Sequence, residues 1–171
     1  MTSRGGNVVS TQPQDRLAAL EERLRLLEDQ AAVCRLIFTW GPAADTADSE
    51  AAASIWSEDA VLEVEGRRTE GRSNIFTMIG SEGQHSLVSQ GCAHVHNFPL
   101  VNIAGDHATA ANYSRVYLHS DDGYGIWRVS ANNWEFRRTD EGWRITRRTA
   151  HVIDGGPEAR VLLSHSVDGH P

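Results

Sequence analysis

Cysteine is scarce in this chain, and that scarcity excludes two kinds of scaffold. Only Cys34 and Cys92 occur among 171 residues, with no second cysteine or histidine pair at ligand spacing, so neither a disulfide framework nor a zinc site is signalled. Both are expected to be reduced, partly buried thiols, and no metal or cofactor is expected. Basic residues are in deficit too. Lys and Arg number 16 against 23 Asp and Glu, a formal net charge of −7, which argues against a nucleic-acid or anionic-membrane surface because both need a dominant basic patch. No apolar run approaches the ~18 residues of a membrane span. A soluble, cytoplasmic protein with a small-molecule partner is therefore expected. The length suits one domain with its own core, and there is neither an internal repeat nor a low-complexity tract.

Residues 1–14, with Gly, Ser, Thr and Gln and no apolar core, are expected to be a disordered lead rather than a signal peptide. From Asp15 to about Trp40 the apolar positions Leu17, Leu20, Leu24, Leu27, Ala31 and Leu36 recur at three and four, which predicts a long amphipathic helix. Gly41 and Pro42 are expected to stop or kink it. Asp48 or Ser49 is placed to cap a second helix through Trp56, ended by Ser57 to Asp59. Extended structure then begins at Val61, Leu62 and Val64, 66–71 make a turn or short hairpin, and 73–79 read as a third short helix. Residues 80–90 read as a polar loop, a candidate lid. The period then changes. Residues 93–103, 107–119, 124–138 and 142–153 are rich in Val, Ile, Tyr, Trp and Thr and separated by turn residues, the pattern of a four-stranded antiparallel meander. Helices first and long strands afterwards describe an α+β domain over 15–153; 154–171 form a tail with at most a last helical turn at 157–163.

Asp45 stands eleven residues before Trp56, and His94 lies on a later apolar run. Together they suggest an acid–base dyad, since an aspartate can fix the tautomer of an imidazole and stabilise its protonated form. The plainer readings are a turn or cap role for Asp45 and a satisfied core role for His94. His96 lies two residues from His94 and shares its face in a regular strand, so either could be the base while the other holds a ligand oxygen. Period-two alternation puts Ser130, Asn132, Trp134 and Phe136 on one side of a strand, where the two polar groups could orient a ligand. Trp40, Trp56, Trp127, Trp143 and Phe98 are further aromatic pocket candidates, with core packing as the alternative. Arg137, Arg138, Arg144, Arg147 and Arg148 read as a solvated face or as partners of Glu63, Glu65 and Glu135. Strict alternation sets Arg148 opposite Trp143 and Ile145, so it faces a pocket only if those two face outward or a bulge shifts the register.

Leu27-Glu28-Asp29, Ile55-Trp56-Ser57-Glu58-Asp59-Ala60, Gly105-Asp106-His107-Ala108 and Gly142-Trp143-Arg144-Ile145, in this order, resemble the SnoaL-like branch of the nuclear transport factor 2-like superfamily over roughly residues 16–153. The resemblance implies a cone-shaped α+β barrel, its N-terminal helices closing a curved, mostly antiparallel sheet around a deep pocket. Within that superfamily the chain looks most like the scytalone dehydratase and hexachlorocyclohexane dehydrochlorinase group. By that likeness Asp45 and His94 match the catalytic pair, with His96 as rival, Arg148 falls at a pocket arginine, and Ser130 with Asn132 matches a Ser-x-Asn pair. Two positions depart from the pattern: Ala44 replaces a tyrosine and Trp40 a lysine, each a polar group that handles the leaving group, so substrate identity does not carry over.

The resemblance thus implies a cofactor-independent lyase of dehydratase type, or an isomerase or cyclase, acting on a small hydrophobic, cyclic substrate. Asp45 and His94 would be catalytic, and His96, Trp40, Ser130, Asn132, Trp134, Arg148 and Phe98 would bind substrate. The alternatives are a non-catalytic binding protein of the same fold and a small structural subunit of a ring-hydroxylating dioxygenase. A homodimer or homotrimer is expected, because the outer side of such sheets is often covered by a partner subunit in this superfamily.

Overall fold

The leucine periodicity produces a helix longer than the sequence suggests. In the computed structural model, which describes residues 12–167, α1 spans Pro13–Asp45 and opens with proline at its first position, where a missing N–H costs nothing. The expected stop at Gly41 and Pro42 does not occur. Pro42 lies in the last turn, where its lack of an N–H forfeits a single bond, and the Thr46 N–H and hydroxyl both donate to its carbonyl, at 3.0 and 2.8 Å. Gly41 serves another purpose: a Cβ there would lie 2.4 Å from the His94 carbonyl oxygen. The pair that looks like a helix stop is the window through which a strand crosses the helix.

Asp48 caps α2 (Ser49–Ser54), accepting from the Ala51 N–H. That helix ends short of Trp56, which instead opens β1 (Trp56–Val64), so Ser57 to Asp59 belong to a strand and not to a helix end. A two-residue turn with positive φ at Glu65 and Gly66 leads into β2 (Arg67–Glu70). The third helix, α3 (Arg72–Ile79), lies as expected. The stretch read as a polar loop is a helix, α4 (Glu82–Gln90), capped by Ser81 and burying none of its residues; with no apolar stripe it leaves no periodic signal in the sequence.

The single strand expected over 93–103 is two, β3 (Cys92–His96) and β4 (Leu100–Ala104), interrupted at 97–99, where Pro99 supplies no ladder donor. Both pair with the same edge of β5 (His107–Ser120), and β6 (Gly123–Thr139) and β7 (Gly142–Val152) complete the meander. The path β2-β1-β7-β6-β5-β3, with β4 also on β5, is a curved sheet that does not close, and its one parallel pair is β1 with β7. The tail carries a full helix, α5 (Pro157–Val167), rather than one turn. The lead expected over 1–14 lies outside the described residues at 1–11, whereas Pro13 and Gln14 already belong to α1; the disorder expected at the chain end falls on 168–171, also outside them.

Helices α1 and α3 pack against one face of the sheet. Val33, Ile37 and Trp40 of α1 pack with Trp56 and Leu62 of β1, Ile75 and Ile79 of α3, and Trp134, Phe136, Trp143 and Ile145 of β6 and β7. A buried carboxylate pins the edge of this core. Asp29 accepts two hydrogen bonds from the Arg138 guanidinium, at 2.8 and 2.6 Å, and one from the Trp143 indole at 3.0 Å.

Candidate active site

The inward face of β7 changes phase along its length. Trp143 and Ile145 are buried, and so are Arg148 and Ala150, which strict alternation forbids. The register explains it: Phe136 pairs with Ile145 and Glu135 with Arg147, leaving Thr146 as the extra residue of a β-bulge. The bulge turns Arg148 inward beside the two apolar residues it should oppose. The remaining arginines of the group lie at or near the surface. Arg147 meets Glu135 as expected, whereas Arg137, Arg138 and Arg144 pair with Asp59, Asp29 with Asp106, and Glu141.

Asp45, at the end of α1, and His94, on β3, meet where Gly41 lets the strand approach. Asp45 Oδ1 lies 2.6 Å from His94 Nδ1, and Oδ2 accepts the His94 backbone N–H at 2.7 Å. The Cys92 thiol donates to Oδ1 at 3.4 Å. Asp45 is thus no cap. Burial opposes its ionisation, but the side-chain and backbone hydrogen bonds from His94, its charge and the thiol outweigh burial and hold the carboxyl below its usual range. A carboxylate only accepts, so Nδ1 carries the proton and the His94 Nε2 lone pair is left free. Burial, reinforced by the carboxylate, pushes the Cys92 thiol up to about 11, so it stays protonated.

Asp45, Cys92 and His94 are also the one group among the described residues with three converging metal-ligand atoms. Two atoms bound to one ion at ~2.0–2.2 Å lie roughly 3 Å apart, so the 2.6 Å contact between Asp45 and His94 is that of a hydrogen bond.

His96 has the opposite surroundings. The Trp134 indole can only donate, and it donates to Asn112 Oδ1 at 3.0 Å. That fixes the amide, turning Asn112 Nδ2 toward the Asn97 carbonyl at 3.1 Å and His96 Nδ1 at 3.3 Å. Nδ1 must accept, so the His96 proton sits on Nε2, a buried atom with no partner. Burial, aided by the Arg148 charge, lowers the His96 pKa to about 3, so the ring stays neutral and keeps its N–H.

Arg148 is 5% exposed. Its Nε and Nη2 donate to Asn132 Oδ1 at 3.1 and 2.8 Å, and its guanidinium lies over the Trp134 and Trp40 rings at 4.7 and 5.6 Å. Burial pulls its pKa down to about 9, still charged at neutral pH, and among the described residues no carboxylate pairs with it. Asn132 Nδ2 in turn donates to Ser114 Oγ at 3.0 Å. The amide is fully engaged, so Asn132 orients Arg148 instead of offering free groups. Ser130 is buried and directly opposite Ser114.

The structure therefore brings together Asp45 with His94, and His96, Trp40, Trp134, Asn132 and Arg148 in one connected interior, with Ser130 beside it. Phe98 does not join them: it is 75% exposed and contacts Phe38 with ring centroids 6.3 Å apart, in the break between β3 and β4. Trp127 is exposed as well. The fixing residue, Asn112, went unnoticed in the sequence, although Ala108-x-Ala110-x-Asn112-x-Ser114-x-Val116 shows a polar break in an alternating apolar run. An open groove of about 410 Å³ between α1 and α2, lined by Phe38, Pro42 and Ala51 among others, holds no such cluster.

Residues 25–149 match the model of the SnoaL-like domain. The chain is a SnoaL-like protein. An NTF2-like protein with a cystatin-like fold from Novosphingobium aromaticivorans is 39% identical over 90% of this chain and 98% of its own, with a TM-score of 0.83. Two further structures from that organism share the fold. One, provisionally named an aromatic ring hydroxylase, is 25% identical over 74% of this chain and 90% of its own, TM-score 0.62. The other, provisionally named a scytalone dehydratase, is 17% identical over 74% and 85%, TM-score 0.63. No curated protein matches this chain. SnoaL-like proteins include isomerases and dehydratases, and no helix among the described residues of this one is long and apolar enough to cross a membrane.

Proposed function

We propose that this SnoaL-like protein is a cofactor-independent lyase or isomerase that removes a proton from carbon beside a carbonyl in a small cyclic substrate. The observation that carries the reading is the 2.6 Å contact between Asp45 and His94 Nδ1, which leaves Nε2 as a base backed by a carboxylate. His94 takes the proton, Asp45 stabilises the imidazolium, and the electron pair of the broken C–H bond moves toward the substrate oxygen. The unpartnered His96 N–H and the uncompensated Arg148 charge are suited to meet that oxygen, since fixed donors in a dry site stabilise charge that develops during reaction. In elimination the pair returns to form the C=C bond as hydroxide departs, and the imidazolium protonates it to water; in isomerisation the same proton returns to a different carbon. The Trp40, Trp56 and Trp134 rings, packed together with Arg148 over two of them, suit contact with a flat, apolar framework.

A non-catalytic binding protein of this fold has no need of a carboxylate–imidazole contact, so the dyad favours the enzyme. The test is deuterium wash-in at the α-carbon of small cyclic ketones in D2O, with 2-tetralone as the first probe, read by NMR. The reading expects protein-dependent exchange that falls to background in Asp45→Asn and His94→Gln. Exchange unchanged in either variant, or none with the wild type across a panel of cyclic ketones and hydroxyketones, contradicts it.

A further inference from the structure

The N-terminal half of α1 carries apolar residues that the domain does not use. Leu17, Leu20, Leu24 and Leu27 are 58, 58, 56 and 61% exposed, and their spacing of three, four and three is that of alternating a and d positions in a heptad. The helix joins the domain through a different stripe, Asp29, Val33, Ile37 and Trp40. At 100° per residue the two stripes lie on roughly opposite sides of the helix, so a partner on the leucines meets no obstruction from the core.

The charges divide in the same way. On the back of the leucine stripe, Arg25 pairs within the chain with Glu22 at 2.7 Å and Asp29 at 3.8 Å. Flanking the stripe, Arg16 and Arg23 occupy g positions and Glu21 and Glu28 the e positions, and none of the four has an ion pair among the described residues. In a parallel, in-register coiled coil each g residue faces the e residue of the next heptad in the other chain. Arg16 would meet the partner's Glu21, and Arg23 the partner's Glu28. An antiparallel arrangement would set arginine against arginine and glutamate against glutamate.

We propose that this half of α1 forms a parallel coiled coil with a second copy of the chain. The seam is short, and two heptads in isolation would be marginal because the helix itself must first form. Here α1 runs unbroken into the core through Trp40 and Asp45, so the helix is already built and its exposed half is presented ready to pair. The proposal does not depend on the catalytic reading, since none of its residues lies at the site.

The test uses the full chain. Leu17→Cys should form an intermolecular disulfide on mild oxidation, because in parallel register its two copies adjoin, whereas antiparallel pairing about the middle of the seam separates them by about 15 Å. Glu22→Cys on the back face and the wild type with Cys34 and Cys92 should not. In sedimentation equilibrium, Arg23→Glu should weaken self-association at least tenfold, and Arg23→Glu with Glu28→Arg should restore it, with circular dichroism unchanged throughout. A monomeric wild type at 100 micromolar, cross-linking no better at position 17 than at 22, or an assembly indifferent to Arg23→Glu would overturn the proposal.

Discussion

His94 and His96 leave the same strand two residues apart, yet their neighbours put them in opposite chemical states. An aspartate receives the Nδ1–H of His94, freeing Nε2 as an acceptor; an amide donates to Nδ1 of His96, leaving Nε2–H as a donor without a partner. The sequence offers the two as interchangeable. What separates them is the second residue at each, Asp45 from the end of α1 and Asn112 from β5, and the lesson is that an imidazole's role is set by what its other nitrogen touches.

The predictions aim at that difference. The largest effect is expected from the base: Asp45→Asn and His94→Gln should each cut α-carbon exchange by roughly 10²–10⁴-fold, read by NMR, with the circular dichroism of the fold retained. Arg148→Met should cost roughly 10²–10³-fold by removing the buried charge near His96 while leaving the dyad in place. Asn112→Asp should erase the contrast itself: with a carboxylate at Nδ1 the His96 pKa should climb from about 3 by at least about two units, followed by NMR titration.

A further consequence concerns stability and pH. Folded His96 resists protonation down to about 3, whereas the unfolded chain binds a proton near the ordinary value of 6.5. Between these the unfolded state holds more protons, so stability should fall as pH drops from 6.5 toward 3. His96→Asn should flatten that slope in denaturant titrations. Below the ordinary aspartate value of 3.8 a second loss should appear as Asp45, held low by His94, is protonated. The smallest effect belongs to Phe98→Ala, expected within about 0.5 kcal/mol of wild type and without effect on exchange, because that ring lies outside the interior.

Much of the site was legible because strand alternation is robust: Ser130, Asn132, Trp134 and Phe136 share the buried face that period two assigns them, and the turns at 104–106, 120–123 and 140–142 fall where glycine and aspartate mark them. What was not legible depends on contacts distant in sequence. Gly41 reads as a helix stop until the His94 carbonyl is seen packed on it. Arg148 faces inward only because Thr146 is extra in its ladder, and no residue type announces that bulge. Helix α4 has no fully buried residue and only Leu87 and Val88 as half-buried apolar ones, too few to mark a helical period. Asn132, expected to bind ligand, has its amide consumed by Arg148 and Ser114.

The central claim is that the two histidines hold opposite tautomers for opposite tasks. Long-range ¹⁵N–¹H NMR on the imidazoles at neutral pH, assigned through His94→Gln and His96→Asn, tests it directly. The account predicts a protonated Nδ1 on His94 and a protonated Nε2 on His96, with His96 unchanged as pH falls through 6.5. The same tautomer on both rings, or a His96 that titrates near 6.5, would contradict it.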